Sequence, residues 1–367
     1  MNFPDPGLAA AIREALHLPP GDITVQDLER LTVLNAARRE IASLEGLGAA
    51  HNLVDLDLGY NVLALLDFPA GLTNLATLNL DGNGTTHLSL PGDLGVLWSL
   101  SLNENALTEF SFLAGLPNLV VLNLEYNELG HLELPPAVGG LQSLDVGFNG
   151  LTNLAFLEGL TNLSVLYLDD NGLRDLALPP VITNLTVLSL SINRLTNFAF
   201  LRPLPALTLL DLSANFLTNV VLPDGLNFLA WMNLAENRLR EVSLPLGMDN
   251  LTTLYLGDNP LQTLILSEDL AAGNLSGVVA QLRDQGVAVY TYPVTGHLSG
   301  WLRNAAGAFA FTFQGPPGTY RVMASTNLAA WTEMGSLTNR TGSVTFTNAA
   351  ASGFPRLFHR ALRRELW

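Results

Sequence analysis

Residues 53–61 read LVDLDLGYN, and nine further stretches repeat this arrangement of leucine and asparagine as far as residue 259. Among them are LATLNLDGN at 75–83, LVVLNLEYN at 119–127 and LTTLYLGDN at 251–259. Consecutive closing asparagines are 22 residues apart, and they are Asn61, Asn83, Asn105, Asn127, Asn149, Asn171, Asn193, Asn215, Asn237 and Asn259. Ten copies at one spacing decide the architecture of the chain.

The pattern L-x-x-L-x-L-x-x-N at this period is the signature of a leucine-rich repeat. Alternate leucines of a short strand point into a core, and one coil cannot bury them without neighbouring coils. We therefore predict an α/β-type leucine-rich repeat solenoid, with a curved parallel sheet and a mostly irregular or extended convex side. The ten asparagines are predicted to be structural, because an amide can both donate to and accept from buried backbone groups of the turn.

The return segments between the repeats come in two forms that alternate every 44 residues. EFSFLAGLPNL at 109–119 represents the first form and predicts a short helical turn. HLSLPGDLGVL at 87–97 represents the second, in which alternating leucines followed by proline predict an extended segment. The alternation indicates duplication of a two-coil unit.

Composition excludes several classes of function. The chain has 33 acidic residues against 17 arginines and no lysine; residues 1–296 carry 31 of the acids and 10 of the arginines. A solenoid this acidic lacks the basic surface that nucleic-acid binding requires. Cysteine is absent, so disulfides and thiolate chemistry are excluded. No apolar run reaches the ~20 residues of a membrane helix, so we expect no membrane insertion.

Three domains are predicted from these patterns. Residues 1–30 form a helical cap, in which Thr24 and Asp27 have the spacing of a capping box. Residues 31–293 form the solenoid, closed by a helix in NLSGVVAQLRDQG and a strand in VAVYTYP. Residues 294–367 form a small antiparallel β-sandwich, because the leucine period stops and short alternating runs such as AFAFTF replace it. Tyr320 and Trp331 are expected in the core of this module.

FPDPGLAAAIREALHLPPGDITVQDLERLTVLNA at 3–36, followed by the 22-residue coils, resembles bacterial leucine-rich repeat proteins of the internalin type. The resemblance covers residues 3–293, although the proline-containing coils depart from the internalin pattern. It implies a secreted or surface-displayed scaffold whose concave sheet grips a protein. GTYRVMASTNLAAW at 318–331 is similar to a small C-terminal β-domain of bacterial secreted proteins. We therefore expect an extracellular or cell-surface chain whose signal peptide has been removed, and favour this over a cytoplasmic one.

Motifs of catalysis and metal binding are missing, so we predict a chain that is not an enzyme and has no cofactor. There is no Walker-type loop, G-x-S-x-G elbow, H-E-x-x-H or EF-hand loop. His87 and His131 occupy equivalent positions two coils apart, roughly 10 Å by strand spacing, which is too far to share a zinc ion. Glu236 and Asp258 lack the 6 to 8 oxygen ligands of a calcium cage.

Candidate binding residues are the side chains that leave the core, which stand six, four, two and one positions before each asparagine. We predict ligand binding on this concave face by Asp57, Asp81, Glu104, Glu125, Tyr126, Asp145, Phe148, Tyr167, Asp169, Trp231 and Tyr255. Arg38 is the only cation of the face. Aromatic residues amid charge are typical of protein-binding surfaces, and the acidic field favours a basic partner.

The leading hypothesis is a non-enzymatic scaffold that binds a protein or peptide and is itself a monomer. The first alternative is a structural spacer or adhesion stalk attached through the C-terminal module, in which the polar residues of the sheet only maintain solubility. A carbohydrate-binding surface protein is the second alternative. The basic run Arg356, Arg360, Arg363 and Arg364 is either a solvated tail or a site that docks on an acidic or anionic surface.

Overall fold

The computed structural model describes residues 3–174, 176–201, 204–223, 225–303, 308–348 and 357–364. The chain divides into two compact units, one of residues 1–195 with 203–215 and the other of residues 196–202 with 216–367. Arg356 of the predicted basic run lies outside the described residues. The predicted domain boundaries at residues 30 and 293 remain predictions.

Two helices at the start of unit 1 form a cap. Helix α1 spans Pro6–Leu16, and the Asp5 carboxylate accepts the Leu8 N–H at 2.9 Å at its N-terminus. Helix α2 spans Val25–Leu28 and begins with the predicted capping box of Thr24 and Asp27. The apolar residues of α1, including Leu8 and Ile12, are buried. They remove the first leucines of the array from water, as a solenoid terminus requires.

Each repeat of unit 1 contributes one three-residue strand to the main sheet, and two return segments contribute a further strand each. The strands of the unit are β1 Val33–Asn35, β2 Asp55–Asp57, β3 Leu65–Asp67, β4 Thr77–Asn79, β5 His87–Ser89, β6 Ser99–Ser101, β7 Val121–Asn123, β8 Ser143–Asp145, β9 Val165–Tyr167, β10 Val187–Ser189 and β11 Leu209–Asp211. Nine of them form a parallel sheet in the order β1-β2-β4-β6-β7-β8-β9-β10-β11, while β3 and β5 pair separately. Residues 22 apart pair across this sheet, as Leu56 pairs with Leu78. The repeat spacing therefore sets the register.

The return segments bear out one predicted form and part of the other. Short 3-10 helices at Ser111–Gly115 and Ala155–Leu157 follow Asn105 and Asn149, as the FLAGL-type segments predicted. The proline-containing segment after Asn83 is extended and includes β5. After Asn127 the prediction of an extended segment is wrong, because a 3-10 helix forms at Pro136–Val138. Pro136 at its first position supplies the φ that a helical turn needs.

Unit 2 contains the last repeats, their end cap and the C-terminal module. Its strands are β12 Val220–Val221, β13 Trp231–Asn233, β14 Glu241–Ser243, β15 Thr253–Tyr255, β16 Thr263–Ser267, β17 Ala288–Tyr292, β18 His297–Arg303, β19 Phe309–Gln314, β20 Gly318–Ser325, β21 Thr332–Asn339, β22 Ser343–Asn348 and β23 Phe358–Arg363. Strands β13 and β15 pair in parallel, and β12-β14-β16-β17 form a second parallel sheet. Helix α4 at Ser276–Asp284 and strand β17 were predicted, whereas helix α3 at Glu268–Ala272 was not.

The C-terminal module consists of two antiparallel three-stranded sheets, β18-β19-β22 and β21-β20-β23. Its core contains Phe311, Phe313 and Tyr320. The prediction that Trp331 joins this core is wrong. Trp331 precedes β21 and lies half-buried in a loop, with the Arg360 guanidinium 4.1 Å from its ring centre. The predicted fold class, a leucine-rich repeat solenoid with an antiparallel β-module, is confirmed.

Candidate binding face

An asparagine ladder holds the turns that follow the strands. The Asn105 Nδ2 donates to the carbonyls of Leu80 and Leu102 at 3.0 Å each, and its Oδ1 accepts the N–H of Thr85 at 2.8 Å and of Asn83 at 3.2 Å. Equivalent bonds recur along both units, and nine of the ten repeat asparagines are buried. These side chains point into the turn, so they are not available on the sheet face.

The residue before each asparagine has a left-handed backbone. Tyr126 and Phe148 both have φ of 54°, and Glu104 has φ of 53°. The N–H at this position donates to a carbonyl of the next coil, as Tyr126 does to Gly147 at 3.1 Å. A non-glycine residue in this conformation costs roughly 1–2 kcal/mol. The inter-coil hydrogen bond offsets part of that cost, and the side chain projects from the strand-exit edge of the sheet.

Most polar residues four positions before the asparagines accept a backbone hydrogen bond within the turn. The Oδ1 of Asp57 accepts the Gly59 N–H at 2.9 Å, and the Oδ1 of Asp145 accepts the Gly147 N–H at 3.0 Å. Asparagines at this position do the same, as Asn123 does for Glu125 at 2.9 Å. One oxygen of each side chain thus has a structural role, which the sequence analysis did not anticipate.

Two coils with serine at this position use a carboxylate from the preceding coil instead. Asp81 accepts from the Ser101 hydroxyl at 2.6 Å and from the Asn103 N–H at 2.8 Å. Asp169 accepts in the same way from Ser189 at 2.5 Å and from the Ser191 N–H at 2.7 Å. Both carboxylates replace the bond that an Asp or Asn would make within its own coil. They are therefore part of the framework as well as of the face.

Seven predicted site residues lie on successive coils of unit 1, and we call them the acidic–aromatic patch: Glu104, Glu125, Tyr126, Asp145, Phe148, Tyr167 and Asp169. The Tyr126 and Phe148 rings are stacked, with centres 4.1 Å apart and planes 14° apart. Tyr126 is 44% exposed. Tyr167 lies directly beside Asp145 in the register of β8 and β9. The structure thus brings together residues that the sequence placed only on the same face.

Carboxylates crowd one another across this patch. Burial, and to a smaller extent the Asp169 carboxylate, raise the pKa of Asp145 to about 6 against the lowering effect of the Gly147 N–H. Burial also raises the pKa of Glu125, with further raising by Asp145 and Asp169. The pKa of Asp81 is raised by burial, although hydrogen bonds from Ser101 and Asn103 oppose the shift. A cation at this surface would relieve the repulsion.

The two remaining predicted aromatic residues lie in unit 2. Trp231 and Tyr255 occupy neighbouring strands, and their rings meet edge to face with centres 5.6 Å apart. Tyr255 is 51% exposed. In unit 1, the Arg38 guanidinium lies 4.3 Å from the centre of the Tyr60 ring, so this cation of the face is engaged by an aromatic residue.

A second asparagine ladder, outside the predicted set, lies nine positions before the first. Asn74 Nδ2 donates to the His51 carbonyl at 2.9 Å, and Asn118 Nδ2 donates to the Gly95 carbonyl at 2.7 Å. The recurrent Asn-Leu at the repeat start was the available signal. In the coil between them the position is Val96, which is 50% exposed and adjoins the exposed Trp98.

His87 and His131 each lie near one carboxylate. The His87 Nε2 lies 3.9 Å from an Asp67 carboxylate oxygen, and the His131 Nε2 lies 3.2 Å from a Glu133 carboxylate oxygen. In the part of the chain that the structure describes, no group of three or more His, Cys, Asp or Glu side chains is arranged to hold a metal ion. Across those same ranges, no helix has the length and apolar character needed to cross a bilayer.

Solved leucine-rich repeat structures share this fold. The internalin InlF from Listeria monocytogenes strain 4b F2365 aligns over 78% of this chain and 95% of its own, with 22% identity and a TM-score of 0.52. The functional domain of InlJ from Listeria monocytogenes, which includes a cysteine ladder, aligns over 85% and 94%, with 19% identity and a TM-score of 0.53. The leucine-rich repeat domain of APL1B aligns over 73% and 83%, with 22% identity and a TM-score of 0.50.

The predicted resemblance to internalin-like leucine-rich repeat proteins is thus confirmed at the level of the fold. No protein-family model matches the chain, and neither does any curated protein. At these identities the solved structures establish architecture alone, so function has to be inferred from the residues of the sheet face.

Proposed function

We propose that this internalin-like leucine-rich repeat chain is a non-enzymatic, protein-binding scaffold, secreted or displayed at a cell surface. Its acidic–aromatic patch binds a protein or peptide segment that presents a cationic side chain. The resemblance of residues 3–293 to internalins supports export, and the stacked repeats supply the extended surface that solenoids use for binding.

The observation that carries the proposal is the stack of Tyr126 on Phe148 beside Glu125. The ladders and turns occupy Asp57, Asp81 and Asp169 with structural hydrogen bonds, but they do not require these two rings. A stacked, partly exposed aromatic pair next to a carboxylate offers both apolar contact and charge to a partner. Aromatic anchors of this kind carry a large share of the binding energy at protein interfaces.

An arginine of the partner fits this surface best. Its planar guanidinium can stack on an aromatic ring and donate two parallel hydrogen bonds to a carboxylate. The raised pKa values of Glu125 and Asp145 show that like charges and burial oppose ionisation here. A bound cation stabilises the ionised forms, so capture of a basic partner should strengthen as the pH rises through about 6.

The test is capture of partners from secreted and surface fractions by the immobilised full chain and by the triple variant Tyr126→Ala, Phe148→Ala and Tyr167→Ala. Removing hot-spot aromatics costs about 2 kcal/mol or more each, so retention should fall at least ~30-fold. Tyr290→Ala is the matched control, because Tyr290 is an equally exposed tyrosine (45%) on β17 of unit 2 and is not a member of the patch. Glu125→Gln should weaken capture more at low salt than at high salt.

Equal retention by the wild type and the triple variant would refute binding through the patch. The spacer hypothesis, in which the C-terminal module makes the attachment, would then account for the chain better. Loss of capture in Tyr290→Ala as well would show that general surface apolarity, and not this patch, retains the partner.

A further inference from the structure

A hollow of about 340 Å³ lies on the sheet face over the first strands of unit 1. Side chains of β1, β2, β4 and β6 line it, and those beyond Val33 that face outward are small and polar. They include Asp55, Thr77 and Ser99 at one row of positions. The outward-facing lining residues beyond Val33 are Asn, Asp, Thr and Ser, whose short side chains leave this space open.

Three side chains on its floor are held in fixed orientations. The Oδ1 atoms of Asn35, Asp57 and Asn79 accept the N–H groups two residues ahead, at 3.2, 2.9 and 2.8 Å. An asparagine bound in this way turns its NH2 outward, whereas an aspartate turns its second oxygen outward. The row therefore presents a donor, an acceptor and a donor on adjacent strands, roughly 4.8 Å apart.

This alternation favours a ligand that both donates and accepts hydrogen bonds over a simple ion. A cation beside Asp57 would face the outward NH2 groups of Asn35 and Asn79, whose own oxygens are already engaged. An anion would face the carboxylates of Asp55 and Asp57. A hydroxyl group both donates and accepts, so a ligand with several hydroxyls can satisfy the whole row. Bonds from hydroxyls to the carboxylates are charge-assisted and strong.

Exposed aromatic residues stand at the two edges of the same strands. Trp98, 45% exposed, directly precedes the lining residue Ser99, and Tyr60, 39% exposed, follows Asp57 by three positions. The Arg38 guanidinium lies over the Tyr60 ring and restricts it. The flat C–H face of a pyranose can pack against an exposed ring such as Trp98 while its hydroxyls reach polar side chains, whereas the Tyr60 ring already carries the Arg38 guanidinium over one face.

We propose that this hollow is a second binding site, for a neutral pyranose unit of a glycan. Asn35, Asp57 and Asn79 bind its hydroxyl groups, and Tyr60 and Trp98 flank it. The site shares no residue with the acidic–aromatic patch, so it stands or falls independently of the protein-binding function. Because the polar floor is held in place by backbone hydrogen bonds, little ordering is required on binding.

The test is saturation-transfer NMR on the full chain with maltotetraose, cellotetraose and tetra-N-acetylchitotetraose, and with spermine as a cationic probe. We expect transfer to at least one tetrasaccharide with a Kd of about 1 mM or tighter. A hydroxyl that donates its single hydrogen to Asp57 can only accept from position 79, so Asn79→Asp, which keeps the acceptor for the Asp81 N–H but replaces the outward donor by an oxygen, should weaken sugar binding at least ~10-fold. Asn123→Asp makes the same change at the same row position outside the hollow, and should leave binding unchanged.

Asn79→Asp should also gain spermine binding, because the floor then presents two adjacent carboxylate oxygens and Asn35 keeps its outward donor. The proposal is overturned if no tetrasaccharide receives saturation, if Asn79→Asp and Asn123→Asp weaken binding equally, or if spermine binds the wild type and competes the sugars away. Circular dichroism melts of the variants that match the wild type would show that weakened binding does not reflect unfolding.

Discussion

Asn105→Ala tests whether the first asparagine ladder, formed by the repeat asparagines such as Asn105, holds the solenoid together. Asn105 is 8% exposed, and its Oδ1 accepts the N–H of Thr85 at 2.8 Å and of Asn83 at 3.2 Å. The carbonyls of Leu80 and Leu102 each retain a second ladder donor after the substitution, from Asn83 and Asn127 respectively. The main damage therefore falls on the two N–H groups.

The expected loss of stability follows from those two donors. A buried hydrogen-bonding group left without a partner costs about 1–3 kcal/mol, so two of them give roughly 2–6 kcal/mol. Partial relaxation of the turn and entry of water reduce this, and we expect about 3 kcal/mol. Asn118→Ala is the matched control. Asn118 belongs to the second asparagine ladder, is exposed, and donates one hydrogen bond of 2.7 Å to the Gly95 carbonyl. Its loss should cost ~1 kcal/mol or less.

The assay is urea unfolding followed by circular dichroism, combined with hydrogen exchange at the Thr85 amide. Exchange is needed because long repeat arrays can lose two-state behaviour. A local cost of about 3 kcal/mol should accelerate exchange of that amide ~100-fold in Asn105→Ala, against no more than ~10-fold in the control. The reasoning is refuted if Asn105→Ala is no more destabilising than Asn118→Ala, or if protection at Thr85 is unchanged.

Two further predictions concern buried polar groups. Because the folded chain raises the pKa of Asp145 to about 6, from the ordinary 3.8, it binds that proton more tightly than the unfolded chain does. The free energy of unfolding should therefore fall as the pH rises from about 4 to about 6. Asp145→Asn should lack the part of this pH dependence that is due to Asp145. At pH ~7 the variant should be more stable than the wild type by on the order of 1–2 kcal/mol in urea titrations. Tyr292→Phe removes the buried hydrogen bond from the Tyr292 hydroxyl to the Leu244 carbonyl, 2.7 Å long. It should cost about 1–2 kcal/mol in thermal unfolding of the full chain, whereas Tyr290→Phe at the exposed neighbour should stay within ~0.5 kcal/mol.

Some features of the binding face could be read from the sequence, and others could not. The positions of Glu125, Tyr126 and Phe148 on one face followed from strand alternation and the 22-residue period. Their mutual contact did not, because stacking of Tyr126 on Phe148 depends on left-handed backbones at both positions. Asp57 and Asp81 looked equivalent to Glu125 in the pattern, but the turns engage them in hydrogen bonds.

The repeat pattern also does not predict features that depend on packing between coils. The second asparagine ladder, which includes Asn74 and Asn118, joins side chains to carbonyls 23 residues earlier in the chain. The sequence shows that these asparagines recur, but it does not show which carbonyls they bind. Trp331 has the apolar character of a core residue, yet β21 begins one residue later and leaves it in a loop. The hollow over β1, β2, β4 and β6 reflects short outward side chains on four adjacent strands at once.

The sequence alone determined the solenoid, its parallel register, its helical cap and the antiparallel module. It could do so because each coil has the same length and each contacts its nearest neighbours, so one local pattern propagates along the array. Tertiary structure decided which polar atoms of the sheet face are consumed and which remain available for a ligand. That distinction rests on hydrogen-bond distances and ring orientations between residues of adjacent coils, which depend on side-chain geometry as well as residue type.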